Sequence, residues 1–122
     1  MNEVIMTSDF RHEYKQLRKK YKSLVRTLNA LIDNLAVEAA QGIELMPHIY
    51  KIRIPITDKN KGKRAGARII TFVRIENDQV WLLHIYDKSE INDLPNHVIK
   101  ASINRLLTYL EEEMEDEENK KE

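Results

Sequence analysis

The chain contains no cysteine. That excludes a disulfide framework and any thiolate metal site, and it fits a reducing compartment. No apolar run approaches the roughly 18 residues needed to cross a bilayer. The opening MNEVIMTSDF lacks the basic-then-apolar pattern of a secretory leader. A cytoplasmic protein with no membrane association is therefore expected. The chain has no internal repeat, no interdomain linker and, formally, no net charge, with 20 basic and 20 acidic residues. What is present is a soluble globular composition, 42% apolar and 33% charged in 122 residues, enough for one modest core.

The zero net charge hides an asymmetry. Residues 111–122, EEEMEDEENKKE, hold eight acids and two bases, which leaves 18 bases and 12 acids in residues 1–110. The expected organisation is a single basic domain over 1–110 followed by an acidic helix end over 111–122. A basic body points to an anionic partner. The tail reads either as a solvated helix end or as a screen over the basic face.

Hydrophobic periodicity gives the element order. VIMT at 4–7 suggests a short edge strand. Ser8 and Asp9 look like a helix start, and Phe10, Tyr14, Leu17 and Tyr21 make one helical face. A second helix is expected from about Ser23 to Gln41, with Leu24, Leu28, Leu31 and Leu35 as its stripe and Gly42 just past its end. Strands follow at Tyr50–Ile54, Ala67–Ile75 and Val80–Lys88, the last two joined as a hairpin through 76–79. Asp93 and Pro95 announce a final helix carrying Ile99, Ile103, Leu106 and Leu110. The fold class is α+β: a small antiparallel sheet of three or four strands, packed on one face by helices.

Strand alternation sorts the candidate site. Trp81, Leu83 and Ile85 should meet the helices. The opposite face should present Lys51, Arg53, His84, Tyr86 and Lys88, with Arg68 at its border. Clustered cations, an imidazole and a phenol are what phosphodiester cleavage needs, since RNA supplies its own 2′-hydroxyl nucleophile. Arginine suits the phosphate because its planar fork reaches two oxygens. The plainer alternative is a solvated or protein-docking surface. The basic, glycine-containing stretch NKGKRAGAR at 60–68 lacks the order of a P-loop. The histidines at 12, 48, 84 and 97 lack zinc-type spacing. Asp87, Glu90 and Asp93 read as loop and helix-start acids.

YKIRIPITDKNKGKRAGARIITFV and VWLLHIYDKSEINDL, over the central third of the chain, resemble the toxin half of RelE/ParE-superfamily toxin–antitoxin pairs, in particular the HigB/RelE-like branch. The matching pieces are Lys51-Ile52-Arg53, Lys61 through Gly66, Ala67 through Phe72, and Leu82 through Leu94. The resemblance implies a compact sheet with two N-terminal helices and one C-terminal helix. It also implies mRNA cleavage in the ribosomal A site without a metal or other cofactor, and silencing by a cognate antitoxin protein. Arg68 then stabilises charge on the phosphate, supported by Lys51, Arg53 and Lys88. Lys59, Lys61, Lys63 and Arg64 would grip RNA backbone, a contact that brings affinity without base specificity. The chain departs from the family at Ala65, Thr71-Phe72, Ser89 and Leu94-Pro95, so the acid and base do not carry over. His84 and Tyr86 are candidates from strand parity alone. A ParE-like gyrase inhibitor that cuts nothing, and a degenerate toxin that only binds antitoxin, remain alternatives.

Overall fold

The structure, a computed structural model, describes residues 1–59 and 65–121. The elements in order are β1 (Glu3–Met6), α1 (Ser8–Lys20), α2 (Leu24–Val37), β2 (Ile43–Met46), β3 (Ile49–Ile54), β4 (Ala67–Arg74), β5 (Gln79–Asp87) and α3 (Asn96–Lys121). They form one mixed sheet of five strands in the order β1-β5-β4-β3-β2, in which β1 runs parallel to β5 and the other pairings are antiparallel. The expectation of three or four antiparallel strands is corrected on two counts. Glu3–Met6 joins the sheet in parallel, and Ile43–Met46 adds an edge strand that alternation did not reveal, because an exposed edge needs no apolar period.

Local chemistry sets the ends. Thr7, one residue earlier than expected, caps α1 by accepting from the Phe10 N–H at 3.2 Å, and its hydroxyl also lies 3.1 Å from the Leu82 carbonyl. That one side chain starts the helix and ties it to β5. Helix α2 stops at Val37, four residues short of the expected end. Gly42 has φ 90°, and a Cβ there would overlap the Lys51 carbonyl, so only glycine fits at the approach to β2. Pro47 and His48, the latter at φ 68°, close the tight turn between β2 and β3.

Helices pack both faces of the sheet, not one. Phe10, Tyr14 and Leu17 of α1 and Leu24, Leu28, Leu31 and Leu35 of α2 bury against Ile52, Ile54, Ile69, Val80, Leu82 and Ile85. On the other face, Ile99, Leu106 and Leu110 of α3 cover Ile49, Ile70, Trp81 and Leu83. Trp81 and Leu83 thus face α3 while Ile85 faces α1 and α2, which corrects the expected trio. The cause is a register shift opposite Ile70 and Thr71: Ile70 pairs with His84 but Thr71 with Leu82. Leu83 is the extra residue of a bulge, and a bulge resets the period of two.

Candidate phosphate-binding site

Three adjacent strands bring the candidate residues into line. Arg53 of β3 pairs with Arg68 of β4, and Arg68 pairs with Tyr86 of β5. Lys51, two residues before Arg53, is on the same face of β3. The row sits at the end of the α3-facing surface, beyond the apolar patch under α3. Arg53 is exposed, the Lys51 side chain is 17% exposed and Arg68 only 3%. The Arg68 guanidinium donates to the Ala67 carbonyl at 3.1 Å, among its other contacts.

An acid sits among these cations. The Tyr86 hydroxyl donates to Asp93 Oδ1 at 3.2 Å, and Lys51 Nζ lies 3.5 Å from the same oxygen. Burial, and then the charge and hydrogen bond of Asp93, push the Tyr86 phenol above its ordinary pKa. Burial, and then the neighbouring Arg53 charge, pull Arg68 below its ordinary value, while Tyr86 and Asp93 act the other way. Arg68 remains a cation throughout the physiological range. The arrangement can bind an anion through a fork and an ammonium, and it holds a neutral phenol beside them as a proton donor.

Two of the other predicted residues, His84 and Lys59, are held by partners outside the row. Both His84 ring nitrogens are engaged: Nδ1 at 3.0 Å from the Glu13 carboxylate of α1, Nε2 at 2.6 Å from Ser102 Oγ of α3. His84 shares the α3-facing side with Tyr86, but its ring is held between Glu13 and Ser102 and does not join the row. Lys59 Nζ donates to Asp87 Oδ1 at 2.6 Å, to Ser89 Oγ at 3.0 Å and to the Ala65 carbonyl at 3.1 Å. Lys88 follows β5, its backbone N–H bonded to the Gly66 carbonyl. Lys61, Lys63 and Arg64 lie outside the described residues. The acids at 87, 90 and 93 are separately engaged, with Lys59, Lys20 and Tyr86. Sequence reasoning missed Asp93 as part of the row. Its signal was the acid that closes the LLHIYDKSEIND stretch. A groove of about 450 Å³ between β1 and α3, lined by Ile5, Trp81, Leu83, Leu106 and Tyr109, contains none of the predicted site residues.

No protein-family model matches the chain. Solved structures do. An arginine-to-alanine double mutant of the E. coli toxin RelE in the free state is 17% identical, with a TM-score of 0.51, covering 85% of this chain and 96% of that one. The isolated E. coli RelE toxin is 15% identical at a TM-score of 0.52, covering 87% and 99%. The fold is that of the RelE toxins. At this identity the likeness carries the RelE architecture and not its chemistry. Of that architecture, the two N-terminal helices, the antiparallel β3-β4-β5 core and the C-terminal helix are the parts the motifs had implied. Among the described residues no helix is long and apolar enough to cross a membrane.

Proposed function

We propose that the protein is the toxin of a type II toxin–antitoxin pair, of the HigB/RelE-like kind, and that it cleaves mRNA on the ribosome. The observation that carries this reading is the line Arg53–Arg68–Tyr86 across three strands, flanked by Lys51, in a chain of RelE fold. In this reading Arg68, Arg53 and Lys51 hold the scissile phosphate and offset the charge that grows on it. The 2′-hydroxyl attacks phosphorus and gives up its proton to solvent water. The P–O5′ bond breaks, Tyr86 protonates the leaving oxygen, and a 2′,3′-cyclic phosphate remains. His84, with both nitrogens occupied, is assigned to joining α1 and α3. In this reading a cognate antitoxin binds and silences the protein, and the row meets mRNA in the ribosomal A site.

The test is induced expression in a bacterium with mapping of mRNA 5′ ends, wild type beside Arg68→Ala. Growth arrest with in-frame cuts, reduced ~10²-fold or more in the variant, is the expected outcome. Arrest with intact transcripts and blocked supercoiling would replace this reading with a gyrase-inhibiting one. Absence of arrest by the folded wild type would leave an antitoxin-binding protein without activity.

A further inference from the structure

A site meant for a phosphate on the substrate is already occupied by a carboxylate of the protein. Asp93 Oδ1 takes the Tyr86 hydroxyl at 3.2 Å and lies 3.5 Å from Lys51 Nζ, and its charge acts on Arg68. These are the groups the proposed reaction turns toward the scissile phosphate. The exposures differ sharply: Arg68 is 3% exposed, the Asp93 side chain 68%. The acid is thus open to solvent while the guanidinium whose charge it feels is buried.

We infer that Asp93 is an internal phosphate mimic, seated on the Lys51–Arg68–Tyr86 anion site, which an RNA phosphate must displace to reach Arg68. This rests on the reading of the row as a phosphate site.

The connection that carries Asp93 suits this role. Residues 88–95 join β5 to α3, and 89–93 are exposed throughout. Before Asp93 the segment is held by the Glu90–Lys20 ion pair at 3.0 Å, after it by Leu94, which packs on the cluster under α3. Asp93 can leave by rotating its side chain, with both anchors in place. Its contacts are long, at 3.2 and 3.5 Å, and its own side chain is 68% exposed, so releasing it costs little. A phosphodiester offers two unesterified oxygens to a planar fork, which a carboxylate engaged through one oxygen does not match. An empty cluster of Lys51, Arg53 and Arg68 would repel itself, and the carboxylate relieves that repulsion until substrate arrives. The mimic thus raises the threshold for weak anions while leaving a correctly placed RNA phosphate able to win.

The experiment measures binding of a 2′-O-methyl oligoribonucleotide, which cannot be cleaved, and separately of inorganic phosphate by its effect on melting temperature. The proteins are wild type, Asp93→Asn, Arg68→Ala and the double variant, each checked for native near-UV circular dichroism. Asp93→Asn should bind the oligonucleotide roughly three- to tenfold tighter, the effect of removing one competing charge. The gain should vanish in the Arg68→Ala background, because the two residues share one seat. Phosphate should raise the melting temperature of Asp93→Asn more than that of wild type. If wild type binds RNA through Arg68 and Asp93→Asn binds no tighter, the mimic is overturned and the phosphate reading stands. If Asp93→Asn gains phosphate while no variant takes RNA, the seat stands and RNA is the wrong ligand. If Asp93→Asn keeps wild-type affinity for both probes and loses cleavage, Asp93 takes part in the chemistry, which also overturns the mimic.

Discussion

Asp87 is fully buried, which ordinarily favours a neutral carboxyl, yet it remains ionised because its partners outweigh burial. Burial alone would raise its pKa. The Lys59 ammonium at 2.6 Å, the Ser89 N–H and hydroxyl, and the Tyr21 hydroxyl together bring it below the ordinary carboxylate value. A depressed folded pKa means stability that is present above the unfolded value, about 4, and is lost as pH falls through the folded value. Urea midpoints should therefore drop steeply on acidification in the wild type, and the drop should be shallower in Asp87→Asn. Lys59→Ala leaves that carboxylate buried without its cation and should cost ~3 kcal/mol or more at neutral pH. A Lys59→Ala protein as stable as wild type would return Lys59 to the role of a free RNA contact. The opposite case is Tyr86, whose folded pKa is raised, so its contribution is intact below about pH 10 and is lost as pH rises through the folded value. Tyr86→Phe keeps the ring against Ile70 and Ile99, and should lower cleavage ~10²-fold while removing that alkaline loss of stability. Cleavage unaffected by Tyr86→Phe would remove the phenol from the mechanism.

At the scale of elements, the junction of α1, β5 and α3 is built from polar groups. Strand β1 pairs with β5 only as far as Leu82, and an open edge would begin there. Glu13 closes it: its carboxylate accepts from the Ile85 N–H at 3.2 Å and holds His84 Nδ1 at 3.0 Å. His84 reaches Ser102 at 2.6 Å, Arg105 donates to Ser102 at 3.2 Å, and Arg105 pairs with Asp9 at 2.8 Å. The chain of contacts starts and ends on α1 with α3 in between. Glu13→Ala strands a buried amide and a buried imidazole, so unfolding should become easier by ~1–3 kcal/mol. Amide exchange in residues 98–110 should quicken with it, and unchanged exchange there would show that the apolar contacts of Ile99, Leu106 and Leu110 suffice to hold α3. This junction was illegible in the sequence for a definite reason. Period-two reasoning places Tyr86 and His84 on one face, which the register keeps, but it gives no sign of Glu13 and Ser102, the partners of His84 that lie 71 and 18 residues away. The helices, the hairpin and the basic strand face were legible, because amphipathic stripes and turn residues are local signals. The parallel docking of β1 depends on a partner distant in sequence, edge strand β2 is exposed and carries no apolar period, and Asp93 joins the cations through side-chain contacts that no period encodes.

At the scale of the whole molecule, one end of a single helix carries a charge opposite to the body. Helix α3 continues through Lys121, eleven residues past its last buried apolar side chain, Leu110, and residues 111–120 are exposed. Nothing in the core requires this extension, so its acids act through their field. With residues 1–110 at +6 and 111–122 at −6, the tail cancels the formal charge that would draw RNA toward the body. Deleting 111–122 should therefore strengthen RNA binding at low salt and speed association. The gain should shrink as salt rises toward 0.15 M, where the screening length falls to about 8 Å and distant charges stop mattering. The melting temperature should barely move, since no buried contact is lost. The salt dependence separates this field effect from the local competition at Asp93. Neutralising an acid in contact with the proposed phosphate seat should change affinity at every salt concentration, whereas a remote tail acts only while its field reaches the substrate. A deletion that leaves affinity and association rate unchanged at low salt would make the tail a solvated helix end and nothing more.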